Sequence, residues 1–226
     1  MKYRAACLGL ATVMITLASL TGTVSNAQET LPEAASLARL TEVLAQTTAM
    51  SASVEQLIID QDGRELQETT AELLMRKPAS FSWRITAPYE ELMVTNGDLI
   101  WRYEPDLDQV TIQDFNNELD RTPVMLLNGT SETIAQAYAV SATDMGDGKL
   151  WRFILLPRMP SSLFERMSLT FNGEVLQEMQ FEDSLGQQTS LSFRDVNRNS
   201  PLEDMLFEFM PPPGVEIIDN SSAITP

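Results

Sequence analysis

From about residue 53 onward, apolar side chains recur at every second position, and this period of two limits the possible folds more than any other feature of the chain. Leu73 and Met75, then Phe81, Trp83 and Ile85, then Leu99, Trp101 and Tyr103, then Trp151, Phe153 and Leu155 alternate with mostly polar or charged neighbours. Met167, Leu169 and Phe171, then Met179 and Phe181, Leu191 and Phe193, and Phe207 and Phe209 repeat the pattern. Turn signals stand between the runs, at Asp62-Gly63, Asn96-Gly97, Gly146-Asp147-Gly148, Asn172-Gly173 and Leu185-Gly186. Short alternating runs separated by such turns are antiparallel hairpins. The expectation is a mainly β (α+β) fold of about ten or eleven strands, a single strongly curved sheet or barrel with its apolar side on the concave face.

Two stretches leave this period. Thr30-Leu31-Pro32-Glu33 reads as a capping box with an early proline, and Ala34, Leu37, Leu40, Val43, Leu44 and Thr47 follow at helical spacing. In the middle, Asn117 to Val140 reads as helical: Pro123 can start a helix carrying Val124, Met125, Leu126 and Leu127, and Glu132 to Tyr138 gives a second. Three short helices suffice to cover the open face of one sheet.

The N-terminus points to export. Lys2 and Arg4 precede a largely apolar run from Ala5 to Leu20, and Ser25-Asn26-Ala27 has the small-x-small form of a signal-peptidase site. Residues 1–27 are therefore expected to be a cleaved signal peptide and residues 28–226 a single domain, since the run is shorter than the ~20 residues that span a bilayer. Cys7, the only cysteine, lies within this leader and lacks the Leu-x-small-Cys setting of a lipid-attachment site. The mature chain is thus expected to have no disulfide, thiolate chemistry or covalent lipid. Loss of Lys2 and Arg4 takes the formal charge from −17 to −19. A surface so acidic repels phosphate backbones and anionic headgroups, which argues against nucleic-acid partners and stable membrane association, and a monomer is expected.

The chain has no histidine, which removes Ser-His-Asp triads, His-ligated zinc and imidazole acid-base catalysis. Beyond the leader only Lys77 and Lys149 remain as lysines, neither with a serine three residues before it, and there is no Gly-x-Ser-x-Gly elbow. Asp60-x-Asp62-Gly63 lacks the further ligands of a calcium loop and reads as a turn. No catalytic residue, metal or cofactor is expected, and a paired-carboxylate hydrolase is the only enzymatic reading left.

Taken in order, Asp62-Gly63, Arg76-Lys77-Pro78 with Phe81-Ser82-Trp83, Asn96-Gly97 leading into Leu99-Ile100-Trp101-Arg102-Tyr103, Thr122-Pro123-Val124-Met125-Leu126-Leu127 and Pro212-Pro213-Gly214-Val215 make a series. In this the chain resembles the outer-membrane lipoprotein carrier (LolA) family over nearly its whole mature length. The resemblance implies an incomplete antiparallel barrel closed by a helical lid. It also implies a periplasmic, non-enzymatic chaperone that takes acylated lipoproteins from an inner-membrane ABC transporter to an outer-membrane receptor. At ~0.8 kcal/mol per methylene, exposing one acyl chain costs roughly 10 kcal/mol or more, so such cargo needs shelter in water. Met75, Phe81, Trp83, Leu92, Trp101 and Phe153 are the expected cavity lining, and Pro123, Val124, Met125, Leu126 and Leu127 the expected lid.

Lys77 stands where the family carries an arginine before the proline, a residue thought to hold the empty lid shut. Lysine keeps the charge but lacks the planar fork. Since Lys77 shares parity with Leu73 and Met75, the lid latch is assigned to it and not to Arg76. The alternative reading is an envelope lipid- or lipoprotein-binding sensor or regulator on the same half-barrel; an anchored lipoprotein receptor is disfavoured by the missing lipidation cysteine.

Overall fold

The computed structural model describes residues 30–115, 123–146, 148–159 and 164–222. The expected signal peptide and Asn117 to Thr122 lie outside the described residues. After a two-residue strand β1 (Thr30–Leu31) and helix α1 (Glu33–Ala45), the chain runs through β2 (Ala49–Ile59), β3 (Glu65–Arg76), β4 (Ser80–Ala87), β5 (Glu91–Thr95), β6 (Leu99–Glu104) and β7 (Gln109–Asp114). A 3-10 turn (Pro123–Asn128) and helix α2 (Ser131–Ala137) interrupt the strands. Then follow β8 (Tyr138–Gly146), β9 (Leu150–Pro157), β10 (Phe164–Asn172), β11 (Val175–Asp183), β12 (Gln188–Arg198), a 3-10 turn (Asp204–Phe207) and β13 (Glu216–Asp219).

All the described strands join one open, curved sheet in the order β1-β8-β9-β10-β11-β12-β2-β3-β4-β5-β6-β7-β13. Every neighbouring pair is antiparallel except β13 with β7. The thirteen strands exceed the expected ten or eleven because β1 and β13, with two and four residues, are too short to display a period.

Directly paired residues share a face, so the register assigns each side chain to one side of the sheet. Met50, Ala52 and Val54 of β2 pair with Met75, Leu73 and Ala71 of β3, which pair with Phe81, Trp83 and Ile85 of β4. On the other arm Phe153 pairs with Leu169 and Ala142, and Leu169 with Met179. These residues, apart from the partly exposed Trp83 and Ile85, are buried. The inner face they form is covered by Leu40, Val43 and Leu44 of α1 and by Leu126, Leu127 and Ile134 of the middle segment, in one continuous core.

The outer face has a second, smaller core. Beside Val94 and Val110, the C-terminal segment lays buried Phe207 against the sheet, and Phe209 packs on Tyr103 with ring centroids 5.6 Å apart. Phe207 and Phe209 were expected in a strand; Phe207 instead closes a 3-10 turn, and their alternation reflects burial against a sheet they do not join. The capping box expected at Thr30 to Glu33 is also absent. Thr30 and Leu31 pair with Thr143 and Ala142, Pro32 takes the cap position without a side-chain bond, and the helix begins at Glu33. Ser36, fully buried, ties α1 down by donating to the Leu31 carbonyl and accepting from the Ala142 amide at 2.9 Å. The helical reading of the middle segment ends at Ala137, because Tyr138 to Val140 already belong to β8.

Candidate functional site

Among the described residues, the inner face carries the larger of the two apolar cores, and α1 and the middle segment cover it. Four expected lining residues stand there: Met75, Phe81 and Phe153, all buried, and Trp83, partly exposed and stacked beside Phe81 with centroids 6.4 Å apart. Leu92 and Trp101 do not. Leu92 pairs with Arg84, Trp101 with Val94 and Ile112, which sets both on the outer face. For Trp101 the cause is the Asn96-Gly97 connection. Residues 96–99 stand between the paired Thr95 and Ile100, and an even number of loop residues inverts the parity of the following strand. Asn96 Oδ1 accepts from the Asp98 and Leu99 amides, and Gly97 holds a φ of +103° where a Cβ would meet Ala79 at 3.1 Å. Trp151, which pairs with Phe171 under the Arg39 guanidinium at 4.2 Å, is an inner-face residue that the expectation omitted.

Between the C-terminal end of α1, the middle segment and the sheet lies a cleft of only about 10 Å³, lined by Leu44, Met50, Met75, Leu127, Phe171 and Leu176 among others. Cavities that enclose a drug-sized ligand run to roughly 300–1,000 Å³, so an acyl chain enters this packed face only if a covering element moves.

The middle segment is held by apolar contact. Leu126 and Ile134 are fully buried and Leu127 is 3% exposed, whereas the side chains of Pro123, Val124 and Met125 lie outside the described residues. Apart from the Tyr138 amide at the start of β8, which donates to Ile134 O, the described hydrogen bonds of Leu126 to Ile134 stay within the segment: Gly129 N to Leu126 O, Ile134 N to Thr130 O, and the reciprocal Thr130–Thr133 capping box. Gly129 is required by close approach, since a Cβ there would meet Ile134 Cγ1 at 2.9 Å and the Leu126 carbonyl at 3.0 Å. Both polar atoms of the Asn128 amide are buried without a partner among the described residues. An orphaned buried amide costs about 1–3 kcal/mol, which weakens this covered arrangement. Only at its end does the segment reach a strand: Arg158 donates its amide to Ala137 O and its Nε to Ala135 O, and pairs with Glu33 of α1.

Lys77 was expected to hold this middle segment. Its Nζ instead donates to Leu44 O at 2.7 Å, at the C-terminal end of α1, while its backbone amide donates to Thr48 O. Partial burial pushes the Lys77 ammonium below the ordinary lysine range. The same end of α1 is held by Asn199, which donates to Gln46 O and accepts from the Thr48 amide, both at 2.8 Å, and by Arg198, which donates to Thr47 Oγ1. Arg76, of opposite parity, turns outward to Leu202 O and Asp204. The parity argument that separated the two cations holds; what it could not supply was which cover lies above Lys77.

No group of three or more metal-ligating side chains occurs among the described residues, and no described helix is long and apolar enough to cross a membrane. Asp60 Oδ1 accepts from the Asp62 and Arg64 amides, as a turn requires.

Residues 45–210 match the family model described as outer membrane lipoprotein carrier protein LolA. The chain is 37% identical over 186 residues to the outer-membrane lipoprotein carrier protein of Pseudomonas aeruginosa PAO1, covering 82% of this chain and 88% of that one. It is 36% identical over 193 residues to the protein of the same name from Hahella chejuensis, covering 85% and 92%. Among solved structures, an uncharacterized conserved protein from Thermus thermophilus superposes with a TM-score of 0.51 at 14% identity, over 83% of this chain and 99% of that one. At that identity the likeness speaks for the fold alone.

Proposed function

Because the chain belongs to the family of outer-membrane lipoprotein carriers, we propose that it is a periplasmic chaperone that carries acylated lipoproteins with their acyl chains held against the inner face of the sheet. An inner-membrane ABC transporter as donor and an outer-membrane receptor as acceptor complete the proposal, which contains no catalytic step.

The observation that carries this reading is a lid bound by exchangeable contacts. Leu126, Leu127 and Ile134 close the inner face through burial alone, and burying three such side chains stabilises by about 5–9 kcal/mol in total. One acyl chain removes roughly 10 kcal/mol or more of unfavourable exposure, so a single chain offsets the displacement of all three. The lid is therefore a placeholder for cargo, closed over a small cleft and displaced when acyl chains replace its contacts. Lys77 acts one element away: by gripping Leu44 O it holds α1 beside that cleft, so Lys77→Leu loosens the wall and changes cargo uptake or handover in a reconstituted transfer assay. Unchanged uptake and handover remove Lys77 from the mechanism.

Three tryptophans test the face that is used. Loading single-tryptophan variants with a lipopeptide brominated on its acyl chains should quench Trp83 and Trp151 and spare Trp101. Quenching of Trp101 with Trp83 and Trp151 unaffected would reject the inner face as the cargo site.

A further inference from the structure

The outer face of β9 to β12 bears a largely polar cleft of about 200 Å³ that acyl-chain binding leaves unused. Arg152, Arg166, Ser168, Gln180, Gln188 and Glu182 line it, together with Phe181. The register brings them to one face: Thr170 pairs with Arg152, Ser168 with Gln180, and Arg166 with Glu182, which pairs with Gln188. Along β10, Ser168 lies between Arg166 and Thr170, the residue opposite Arg152 on β9.

Arginine is scarce here and most of it is spent. Arg64, Arg76, Arg102, Arg158, Arg194 and Arg198 each form an ion pair among the described residues. Among the described residues Arg39, Arg84, Arg152 and Arg166 form none, and of these Arg39 is taken up by the Trp151 ring, in a chain with more than twice as many acidic as basic residues. Arg152 Nε is moreover buried with no hydrogen-bond partner. A buried donor on a charged group is costly to leave unmade, and a ligand that accepts from it recovers that cost.

We propose that this cleft binds a phosphate ester carrying a primary amine, of the phosphoethanolamine class. Two guanidiniums, a hydroxyl and two side-chain amides offer more donors than a planar carboxylate can use, and they suit the tetrahedral oxygens of a phosphate. The Glu182 carboxylate opposes a bare anion but matches an ammonium on the same ligand. A zwitterion also meets less repulsion from the acidic surface than an anion does.

Glycerophosphoethanolamine titrated into the isotope-labelled protein, with the arginine Nε–Hε resonances followed by NMR, decides the matter. The expected result is a saturable shift of Arg152, with binding about tenfold tighter than for glycerol phosphate and that preference lost in Glu182→Gln. Arg152→Gln/Arg166→Gln should abolish binding while leaving the far-UV circular dichroism spectrum unchanged; if that variant does not fold, the wild-type titration stands by itself. No Arg152 shift, a shift reproduced by sodium chloride at equal ionic strength, or indifference to the amine overturns the proposal. Phosphatidylcholine vesicles with and without phosphatidylethanolamine identify the source. Cosedimentation only with the vesicles that contain phosphatidylethanolamine points to a membrane lipid, and its absence beside binding of the free probe points to a soluble ester.

Discussion

The sheet has two covers, and they are attached by opposite means. The middle segment from Leu126 to Ile134 lies on the inner face through apolar contact, with its described hydrogen bonds turned on itself except at the Ile134 carbonyl. The C-terminal segment, besides burying Phe207, is fastened to the outer face by directional bonds. Arg76 donates to Leu202 O at 2.9 Å, pairs with Asp204 at 2.7 Å and lies 4.9 Å from the Phe207 ring. Farther on, β13 pairs with β7, the Glu216 amide donates to Asp108 O, the Asn220 amide to Ile112 O, and Ser222 bonds the Asp114 carboxylate. Apolar contact is non-directional, so a hydrocarbon chain can take its place; it can replace none of the bonds that hold the outer cover. One cover is built to be exchanged and the other to stay.

That contrast can be broken most forcefully at Phe207. Phe207→Ala should cost about 3–5 kcal/mol in urea unfolding, as large-to-small changes in a core do, yet leave acyl-dependent quenching of Trp83 intact. Loss of quenching in the variant while it is still folded would show that the covers are coupled. Leu126→Ala should cost about 2–5 kcal/mol, but locally: hydrogen exchange of the α2 amides accelerates and binding of a hydrophobic dye increases, while the amides of β2 and β3 keep their protection. Equal acceleration across the sheet would contradict a separate lid. Asn128→Leu removes the orphaned amide, recovers about 1–3 kcal/mol, and should slow both α2 exchange and cargo loading; faster loading would mean that the amide has a partner in the covered arrangement.

The smallest effect is one of pH and belongs to the outer cover. The hydrogen bonds from Ser222 hold the Asp114 carboxyl below its ordinary value. A carboxylate with a lowered folded pKa contributes stability that is complete above the unfolded pKa and is lost as pH falls through the folded one. Acid titration followed by the Ser222 amide resonance should therefore release this end of the outer cover in the acidic range, before the Ile134 amide responds. Simultaneous release would leave the two covers indistinguishable in acid.

Much of the architecture was legible because period two survives wherever one face is buried: Leu73, Met75, Phe81 and Phe153 declare their strands and their side. The reading failed where both faces are covered. Alternation at Leu99, Trp101 and Tyr103 reports that a face is buried, not which one, and the parity inversion across residues 96–99 is the signal that could have corrected Trp101. Leu92, in the apolar run Leu92-Met93-Val94, is half-buried like the Met93 beside it and carries no usable parity. Lys77 was traceable to the inner side by its parity with Met75, but its acceptor is a helix-end carbonyl supplied by tertiary contact, which local pattern does not encode. Phe207 and Phe209 mimicked a strand because a segment lying across a pleated surface buries alternate residues much as a strand does.

Among the described residues, thirteen strands form an open sheet with β1 and β13 at its margins. In a closed barrel, girth is set by strand number and stagger, and widening it means tearing ladder bonds. Here the hollow can deepen or flatten through small changes of twist shared by many strand pairs, with the ladder intact. Such a scaffold sets no single capacity, and bulkier passengers would be accommodated by bending the whole sheet.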